Sequence, residues 1–467
     1  MIAPKPFSAP SRITLGLVLL LLGSLAVSGA IRLAAPAPYS ETVLRHTWDV
    51  LRAESGDDSW DPSGHALAHV RSGAAAPLYA TVFFKKGVRY QYPPSALFAL
   101  AAMQWIDPAR VVVDDQVYRG PRPAINDMAG WFFLLLMAGA TAALLEIGLH
   151  RRGIPRGSAA LIALRVAAVF ALTLTFYPVV KAFSLGQIQT WVNGAFALAL
   201  LCWATGRKTA CGLLVAFVCL IKPHYGLLLL WAAFRREWRF VYACGGAIAA
   251  GLAVSVAVLG WENHVDYLRV LSFLSERGES YYPNQSVNGV LNRLMSIAAP
   301  QEFNNVYWRD AHFPPFTPLV YAGTLASSVL ILGAALARRR RENDEGRTLD
   351  FCTMVLSLTI ASPIAWEHHY GVLLPMFAVL FVRLLGDRPR LAWLALFYLL
   401  AANFILAANA LAPTALNIAQ SYLLAAALGV LVLLHLRPAA VLPAAQGVRK
   451  PAPAPVARVP ARAGTAA

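Results

Sequence analysis

Charge is what this sequence has little of: 14% of its 467 residues are Asp, Glu, Lys or Arg, while 58% are hydrophobic. Soluble domains carry about a quarter charged residues, so water is excluded as the solvent for most of the chain. Cysteine is scarce too. The five present, Cys202, Cys211, Cys219, Cys244 and Cys352, fall inside apolar runs and form no CxxC pair, which excludes a disulfide framework and a thiolate metal site. Acidic residues are few beside basic ones, 24 against 40, giving a net charge of +16. The basic residues sit in short clusters between apolar runs, not on one amphipathic face, so they mark membrane topology and not a nucleic-acid partner. No internal repeat of the kind that betrays many secondary transporters is present.

What is there is a succession of apolar runs near the ~20 residues that cross a bilayer. The first, Ile13 to Leu33, follows Lys5 and Arg12 and has no convincing cleavage site, so it is expected to be a retained span and not a signal peptide. Spans are expected at 13–33, 128–149, 159–180, 187–205, 208–221, 224–234, 240–260, 316–337, 350–364, 370–385, 391–411 and 413–436. The fold class is therefore an all-α polytopic membrane protein, with residues 1–436 as a single transmembrane domain of about twelve helices. The clusters at Arg151, Arg152 and Arg156, at Arg207 and Lys208, at Arg235, Arg236 and Arg239, at Arg338 to Arg341, and at Arg383, Arg388 and Arg390 are expected on the cytoplasmic side. Both termini then lie inside, and the polar segments 35–127 and 261–315 lie outside. The spans 208–221 and 224–234 are short, hence tilted in a thinned region or broken around Lys222 and Pro223. The apolar stretch from Pro93 to Ile106 is too short to cross and is expected to lie at the interface. The basic, Pro- and Ala-rich tail 437–467 is expected to be disordered and cytoplasmic.

Polar residues that can carry chemistry gather in the expected exterior segments. An amphipathic helix, Glu41 to Glu54, with Val43, Leu44, Trp48 and Leu51 on its apolar face, leads into Asp57-Asp58-Ser59-Trp60-Asp61. Pro77-Leu78-Tyr79 and Tyr90-Gln91-Tyr92-Pro93-Pro94 follow, and together these make a lid on the membrane surface. Read alone, the acidic cluster also suits a solvated turn. Leu185-Gly186-Gln187 and Lys222-Pro223-His224-Tyr225 lie at the outer ends of spans, where lipid offers polar groups no partner. Lys222 suits either a snorkel to the headgroups or a cation facing an anionic ligand. Tyr281-Tyr282-Pro283-Asn284-Gln285-Ser286, followed by Arg293, includes a glycosylation pattern too short to be specific. Ser362-Pro363-Ile364-Ala365-Trp366-Glu367-His368-His369 caps a further span. Adjacent histidines diverge by about 100° on a helix, unlike metal-binding pairs at i, i+4, so a phosphate or hydrogen-bonding role is expected in place of a metal. A topology built from arginines alone thus places Asp61, Gln187, Lys222, Asn284, Arg293 and His368 on one face. A carboxylate with Lys, Arg and His nearby is what transfer from a phosphate-linked donor requires.

The succession of Asp61, Pro-Leu-Tyr79, Tyr-Gln-Tyr-Pro-Pro94, Leu-Gly-Gln187, Lys222-Pro223, Asn-Gln-Ser286 with Arg293, and Ser-Pro-Ile-Ala-Trp366 with His368 and His369 resembles glycosyltransferase family 87 of the GT-C superfamily. The resemblance covers about residues 60–410. It implies a GT-C fold whose first exterior loop carries a catalytic aspartate and two surface helices, here Glu41–Glu54 and Pro93–Ile106. It also implies inverting transfer of mannose from a polyprenyl-phosphate donor to a hydroxyl of a lipid- or glycan-linked acceptor. By position Asp61 is the base. The residues after it, Pro62-Ser63-Gly64-His65, depart from the family's apolar run, which keeps Asp58 as the alternative.

On this basis Lys222, Arg293, His368 and His369 are expected to hold the donor phosphate, with Asp58, Tyr92, Gln187, Asn284, Gln285 and Trp366 as further site candidates. No cofactor and no metal are expected; membrane lipids are partners and nucleic acid is not. The expected location is a bacterial cytoplasmic (inner) membrane, multi-pass, with the site on the exterior face. A lipid or solute transporter is the alternative function, and arabinose or another polyprenyl-phosphate sugar the alternative donor.

Overall fold

Helix ends in this chain follow proline, glycine and capping side chains more closely than they follow the length of apolar runs. The computed structural model describes residues 9–37, 39–106, 108–113, 116–121, 123–295 and 313–436. The expected tail at 437–467 and the stretch 296–312 of the second polar segment lie outside the described residues. Residues up to His435 form one compact unit.

The chain starts with α1 (Ala9–Ala34), then enters the first polar segment with α2 (Val43–Leu51), α3 (Trp60–Arg71), a π-helical turn Ala80–Lys85, a 3-10 turn Pro94–Ala96 and α4 (Leu97–Ile106). A two-stranded antiparallel hairpin follows, β1 (Pro108–Val113) with β2 (Gln116–Pro121), in the register Pro108 to Pro121 and Val113 to Gln116. This hairpin is the one departure, among the described residues, from the expected all-α class. The helix α2 turns Val43, His46 and Val50 into the protein and leaves Trp48 and Leu51 exposed. Its apolar residues therefore divide between a protein-facing side and an outward side, where the sequence pattern had grouped them on one face. Trp105 and Ile106 at the end of α4 are likewise exposed, 87% and 64%. That end of α4 presents the apolar surface that an interfacial helix needs.

Beyond the hairpin come α5 (Pro123–Arg151), α6 (Ala159–Leu174), α7 (Tyr177–Ser184), α8 (Gln189–Ala204), α9 (Lys208–Ile221), the 3-10 turn Pro223–Gly226, α10 (Leu227–Phe234), α11 (Trp238–Leu259), α12 (Trp261–Arg277) and α13 (Val287–Met295). The remaining described elements are α14 (Pro318–Ala337), α15 (Asp344–Ile360), the 3-10 segment Glu367–Val372, α16 (Leu373–Arg383), α17 (Arg388–Ala402), 3-10 turns at Leu406–Leu411 and Ala415–Ser421, and α18 (Tyr422–His435). Among the described residues α1, α5, α11, α14 and the stretch Ala415–His435 are long and apolar enough to cross a membrane, and α6 with α7 makes a sixth if counted as one span bent by 58°. The expected short spans 208–221 and 224–234 are α9 and α10, separated by a break at Lys222. Proline explains both interruptions. Pro178 has no N–H to give the Leu174 carbonyl and so opens α7, while Lys222, the residue before Pro223, is driven out of the helical region to φ −133°, ψ 88°. Ser158 caps α6 by accepting from the Leu161 amide at 3.3 Å, and Asn343 caps α15 through Gly346 at 2.8 Å.

The helices α8, α9, α15 and α16 run between two chemically distinct ends. At one, the arginine clusters neutralise one another's surroundings: Arg152 and Arg383 both meet Glu345, at 3.3 and 2.9 Å, Arg341 meets Asp350 at 3.2 Å and Arg340 meets Glu237 at 2.9 Å. A buried arginine lies on the helices leading there, Arg165 holding the half-buried Glu146 through two nitrogens at 2.6 and 2.9 Å, as a charge away from water requires. The other end collects the polar motifs of the sequence.

Candidate functional site

The helix α7 stops at Ser184 because Gly186 adopts a left-handed backbone, φ +68°, and a side chain there would strike the Gly56 carbonyl oxygen, 1.8 Å from an added Cβ. This bare turn is where the acidic loop docks. The Gly56 amide donates to the Ser184 carbonyl at 2.9 Å and the Asp58 amide to the Leu185 carbonyl at 3.0 Å. Side chains complete the junction. Gln187 Nε2 donates to Asp58 Oδ2, while Gln187 Oε1 accepts from Ser59 Oγ at 2.8 Å and from Tyr92 OH at 3.0 Å. Tyr92 is held in turn by Tyr79, whose hydroxyl donates to the Tyr92 carbonyl at 2.6 Å and whose ring stacks on Tyr90 at 5.8 Å. Asp58, Gln187 and Tyr92, far apart in sequence, thus form one hydrogen-bonded group.

Asp58 keeps exposed surface while protein crowds it on its other sides, the position of a group on the wall of a cleft. Burial raises its carboxyl above the usual range; the Gln187 hydrogen bond and the charge of Lys181 oppose that, and Asp57 and Asp61 add to it. Asp61 sits differently. It lies in the first turn of α3, a helix not anticipated from the sequence, with its amide bonded to the Asp57 carbonyl at 2.8 Å. Its carboxylate lies 3.9 Å from His65 Nε2, one turn on, and its side chain is 42% exposed.

The second and third polar motifs are stitched together. Asn284 Nδ2 donates to the carbonyls of Glu279 (2.7 Å) and Pro363 (3.1 Å), and its Oδ1 accepts from the Ala365 amide at 2.9 Å. The Gln285 amide donates to Ala365 and the Glu367 amide to Pro283, at 2.8 and 2.9 Å. Arg293 is fully buried and clamps this junction: Nη1 donates to the carbonyls of Tyr281 (3.3 Å) and Asn284 (3.0 Å), and Nη2 to Ser421 Oγ (2.6 Å). Expected as a phosphate ligand, Arg293 here spends three donor contacts on the protein itself.

Lys222 is 8% exposed, and its Nζ lies 2.6 Å from His369 Nε2. His368 stands beside this pair, its ring 4.9 Å from His369 at 82° and 5.6 Å from Trp366. The two histidines diverge, and among the described residues no group of three metal-ligating side chains converges. Lys222, His368 and His369 therefore share one corner, with Arg293 behind the neighbouring Glu367.

Four side chains that sequence reasoning passed over complete the end of the bundle. Glu367 is buried, accepts from Tyr177 OH at 2.6 Å, and has its other oxygen without a hydrogen-bond partner among the described residues. Burial pushes its carboxyl up to about 7, against the Tyr177 bond and the charges of Lys181 and Arg293. Lys181 lies one turn beyond Tyr177 on α7 and reaches His46 Nε2 at 3.4 Å. A lysine alone in the apolar run from Tyr177 to Ser184, and a glutamate between Trp366 and His368, were the available signals.

A helical membrane protein that sets a carboxylate group, a lysine–histidine pair and a polar clamp at one end has the parts of a membrane transferase. The profile of glycosyltransferase family 87 matches residues 90–363, more than half of the chain, and the chain belongs to that family. It is similar to the polyprenol-phosphate-mannose-dependent alpha-(1-2)-phosphatidylinositol pentamannoside mannosyltransferase of Mycolicibacterium smegmatis, 29% identical over 253 residues, 52% of this chain and 56% of that protein. It is also similar to the polyprenol-phosphate-mannose-dependent alpha-(1-2)-phosphatidylinositol mannoside mannosyltransferase of Mycobacterium tuberculosis, 25% identical over 236 residues, 50% of each. The chain spans about half the length of these curated relatives. No solved structure matches it. The family match begins at Tyr90, so the loop carrying Asp58 and Asp61 lies before it.

Proposed function

We propose that this protein transfers mannose from a polyprenyl-phosphate donor to a hydroxyl of a lipid-linked acceptor, inverting the anomeric centre, at the exterior face of a bacterial cytoplasmic membrane. The observation that carries this is the placing of the Asp58–Gln187–Tyr92 group and the Lys222–His369 pair at the same end of the bundle, opposite the arginine clusters. The names of the two mycobacterial relatives support the donor class, and the positive-inside rule supports the face. About twelve crossings of a GT-C arrangement remain the topology that goes with it, the short helices α9 and α10 counting as broken or tilted spans.

In this reaction the acceptor oxygen attacks the anomeric carbon, the bond from that carbon to the phosphate oxygen breaks, and polyprenyl phosphate leaves as an anion. Asp58 takes the acceptor's proton. A carboxyl raised by burial is a better base than an ordinary surface one, which favours Asp58 over Asp61 with its helical position and His65 neighbour. Lys222, paired among the described residues with a histidine and with no carboxylate, offers its charge to the leaving phosphate; His369 orients it and His368 stands beside it. Arg293 serves by holding the Tyr281 and Asn284 carbonyls to Ser421. An apolar cavity of about 390 Å³ between α1, α5, α6, α16 and α17, lined among others by Leu17, Leu20, Leu374, Phe377 and Tyr398, suits an isoprenoid segment.

Membranes bearing the protein, supplied with radiolabelled polyprenyl-phosphate mannose and extracted lipid acceptors, should form a labelled lipid that Asp58→Asn membranes do not. Label from polyprenyl-phosphate arabinose instead would change the donor sugar. Movement of the intact donor across the bilayer with no transfer would replace the enzyme by a transporter.

A further inference from the structure

We propose that Lys181 is a positioning residue of this site, presenting a fixed positive charge to the Asp58 carboxylate without touching substrate. This rests on the assignment of Asp58 as base made above. Three geometric facts carry it.

First, the loop bearing Asp58 is bonded to the end of the helix that bears Lys181. Gly56 and Asp58 donate to the carbonyls of Ser184 and Leu185, and the Leu185 amide donates back to the Lys181 carbonyl at 3.0 Å. One rigid turn therefore links the lysine backbone to the aspartate backbone. Second, the lysine head is tethered by a chain of hydrogen bonds with a single direction. Lys181 Nζ donates to His46 Nε2 at 3.4 Å, which leaves the proton of a neutral imidazole on Nδ1; that nitrogen donates to Ser184 Oγ at 3.0 Å, and Ser184 donates to Asp49 Oδ2 at 2.7 Å. His46 is buried and its pKa is lowered to about 4, burial first and the Lys181 charge second, so the neutral form that the chain needs prevails at neutral pH. The lysine stem also lies against Phe404, its Nζ 5.7 Å from the ring centre. Third, the carboxylates near this lysine act on it through charge without contacting it. Asp58, Glu367 and Glu41 all feel its charge, yet among the described residues none forms an ion pair with it. A cation spent on one carboxylate would be neutralised; one held by histidine keeps its field for the site.

The groups facing Lys181 are Glu41, Arg45 and His46 from α2 and its approach, Asp58 from the acidic loop, and Glu367 and His368 from the 3-10 segment. Of these, Asp58 is the one bonded through its backbone to α7 and open to solvent. Removing the lysine charge leaves only the Gln187 hydrogen bond against burial and the neighbouring acids and moves Asp58 toward its protonated form, which is no base.

The test uses the full-length protein in detergent. The protonated-carboxyl infrared band of Asp58, identified by its loss in Asp58→Asn, is followed through a pH titration in the wild type, Lys181→Met and Lys181→Arg. The midpoint should rise by roughly one unit in Lys181→Met and return near the wild-type value in Lys181→Arg. The acid limb of the mannosyl-transfer rate should move by the same amount, with the apparent donor KM little changed. An unmoved Asp58 midpoint in a folded Lys181→Met protein overturns the proposal, as does a rise in donor KM alone, which would make Lys181 a substrate ligand. Because the infrared titration needs no turnover, absent transfer activity would count against the proposed reaction and leave the Lys181–Asp58 coupling measured. If Lys181→Met fails to fold, His46→Phe, which removes the tether and leaves the lysine, should move the same midpoint in the same direction; no movement there also overturns the proposal.

Discussion

The Asp58 amide donates to the Leu185 carbonyl at 3.0 Å, and this bond joins a loop of the first polar segment to the broken end of a membrane helix more than a hundred residues on. Everything proposed for the carboxylate depends on that junction, which sets Gln187, Tyr92 and Lys181 around it.

Asp58→Asn should lower mannosyl transfer by about 10²–10⁴-fold, the usual loss with a general base, while the protein keeps its donor binding. Asp61→Asn and Asp57→Asn change the loop charge equally and should lose far less. Radiolabelled product formed per unit of folded protein separates them. Full activity in Asp58→Asn with loss in Asp61→Asn would return the base to Asp61.

Gly186→Ala should disconnect the acidic loop, because the added carbon meets the Gly56 carbonyl and the backbone is left-handed. Strain of this kind costs about 1–3 kcal/mol. The melting temperature in detergent should fall and transfer should drop with it, whereas Gly87→Ala, also left-handed but with open space around it, should cost stability and spare the rate.

Lys222 and Arg293 should fail in different ways. Arg293→Met removes three hydrogen bonds from a buried junction and should destabilise the protein by about 2–4 kcal/mol. Lys222→Met leaves no such gap in the scaffold and should act chiefly on donor use, read as a raised donor KM or a lowered rate at near-normal melting temperature. A stable Arg293→Met protein with selectively weakened donor use would restore Arg293 to the phosphate.

Glu367 should make stability depend on pH. Its carboxyl is raised from 4.5 to about 7 in the fold. Between those values the native state holds a proton that the unfolded chain has lost. The contribution is thus present below pH 4.5 and lost as pH rises through 7, at up to about 1.4 kcal/mol per unit. Wild-type melting temperature should fall more steeply between pH 5 and 7 than that of Glu367→Gln. Parallel curves would show that Glu367 stays ionised.

The two-ended arrangement carries a topological prediction. A cysteine at position 57 should react with an impermeant reagent added to intact cells, and one at position 342 only after the membrane is opened. The reverse pattern would put the site inside the cell and rule out an exterior donor.

Membrane residence and the separation of arginine-rich from motif-rich connections were legible in the sequence, because hydropathy and the distribution of Arg and Lys are properties of the chain in order and need no tertiary contacts. The break at Lys222 was also visible, since proline acts on its own neighbour. The hairpin, the helix beginning at Trp60 and the division of the α2 surface were not: each depends on what packs against the segment. Nor could spacing choose between Asp58 and Asp61, three residues apart in a loop of acids. Only the fold brings the Leu185 carbonyl, Gln187 and Lys181 to one of them and gives the other to a helix turn and His65. Likewise a sequence records that Arg293 is an arginine near a polar motif, while which carbonyls stand within reach of its guanidinium depends on distant segments meeting.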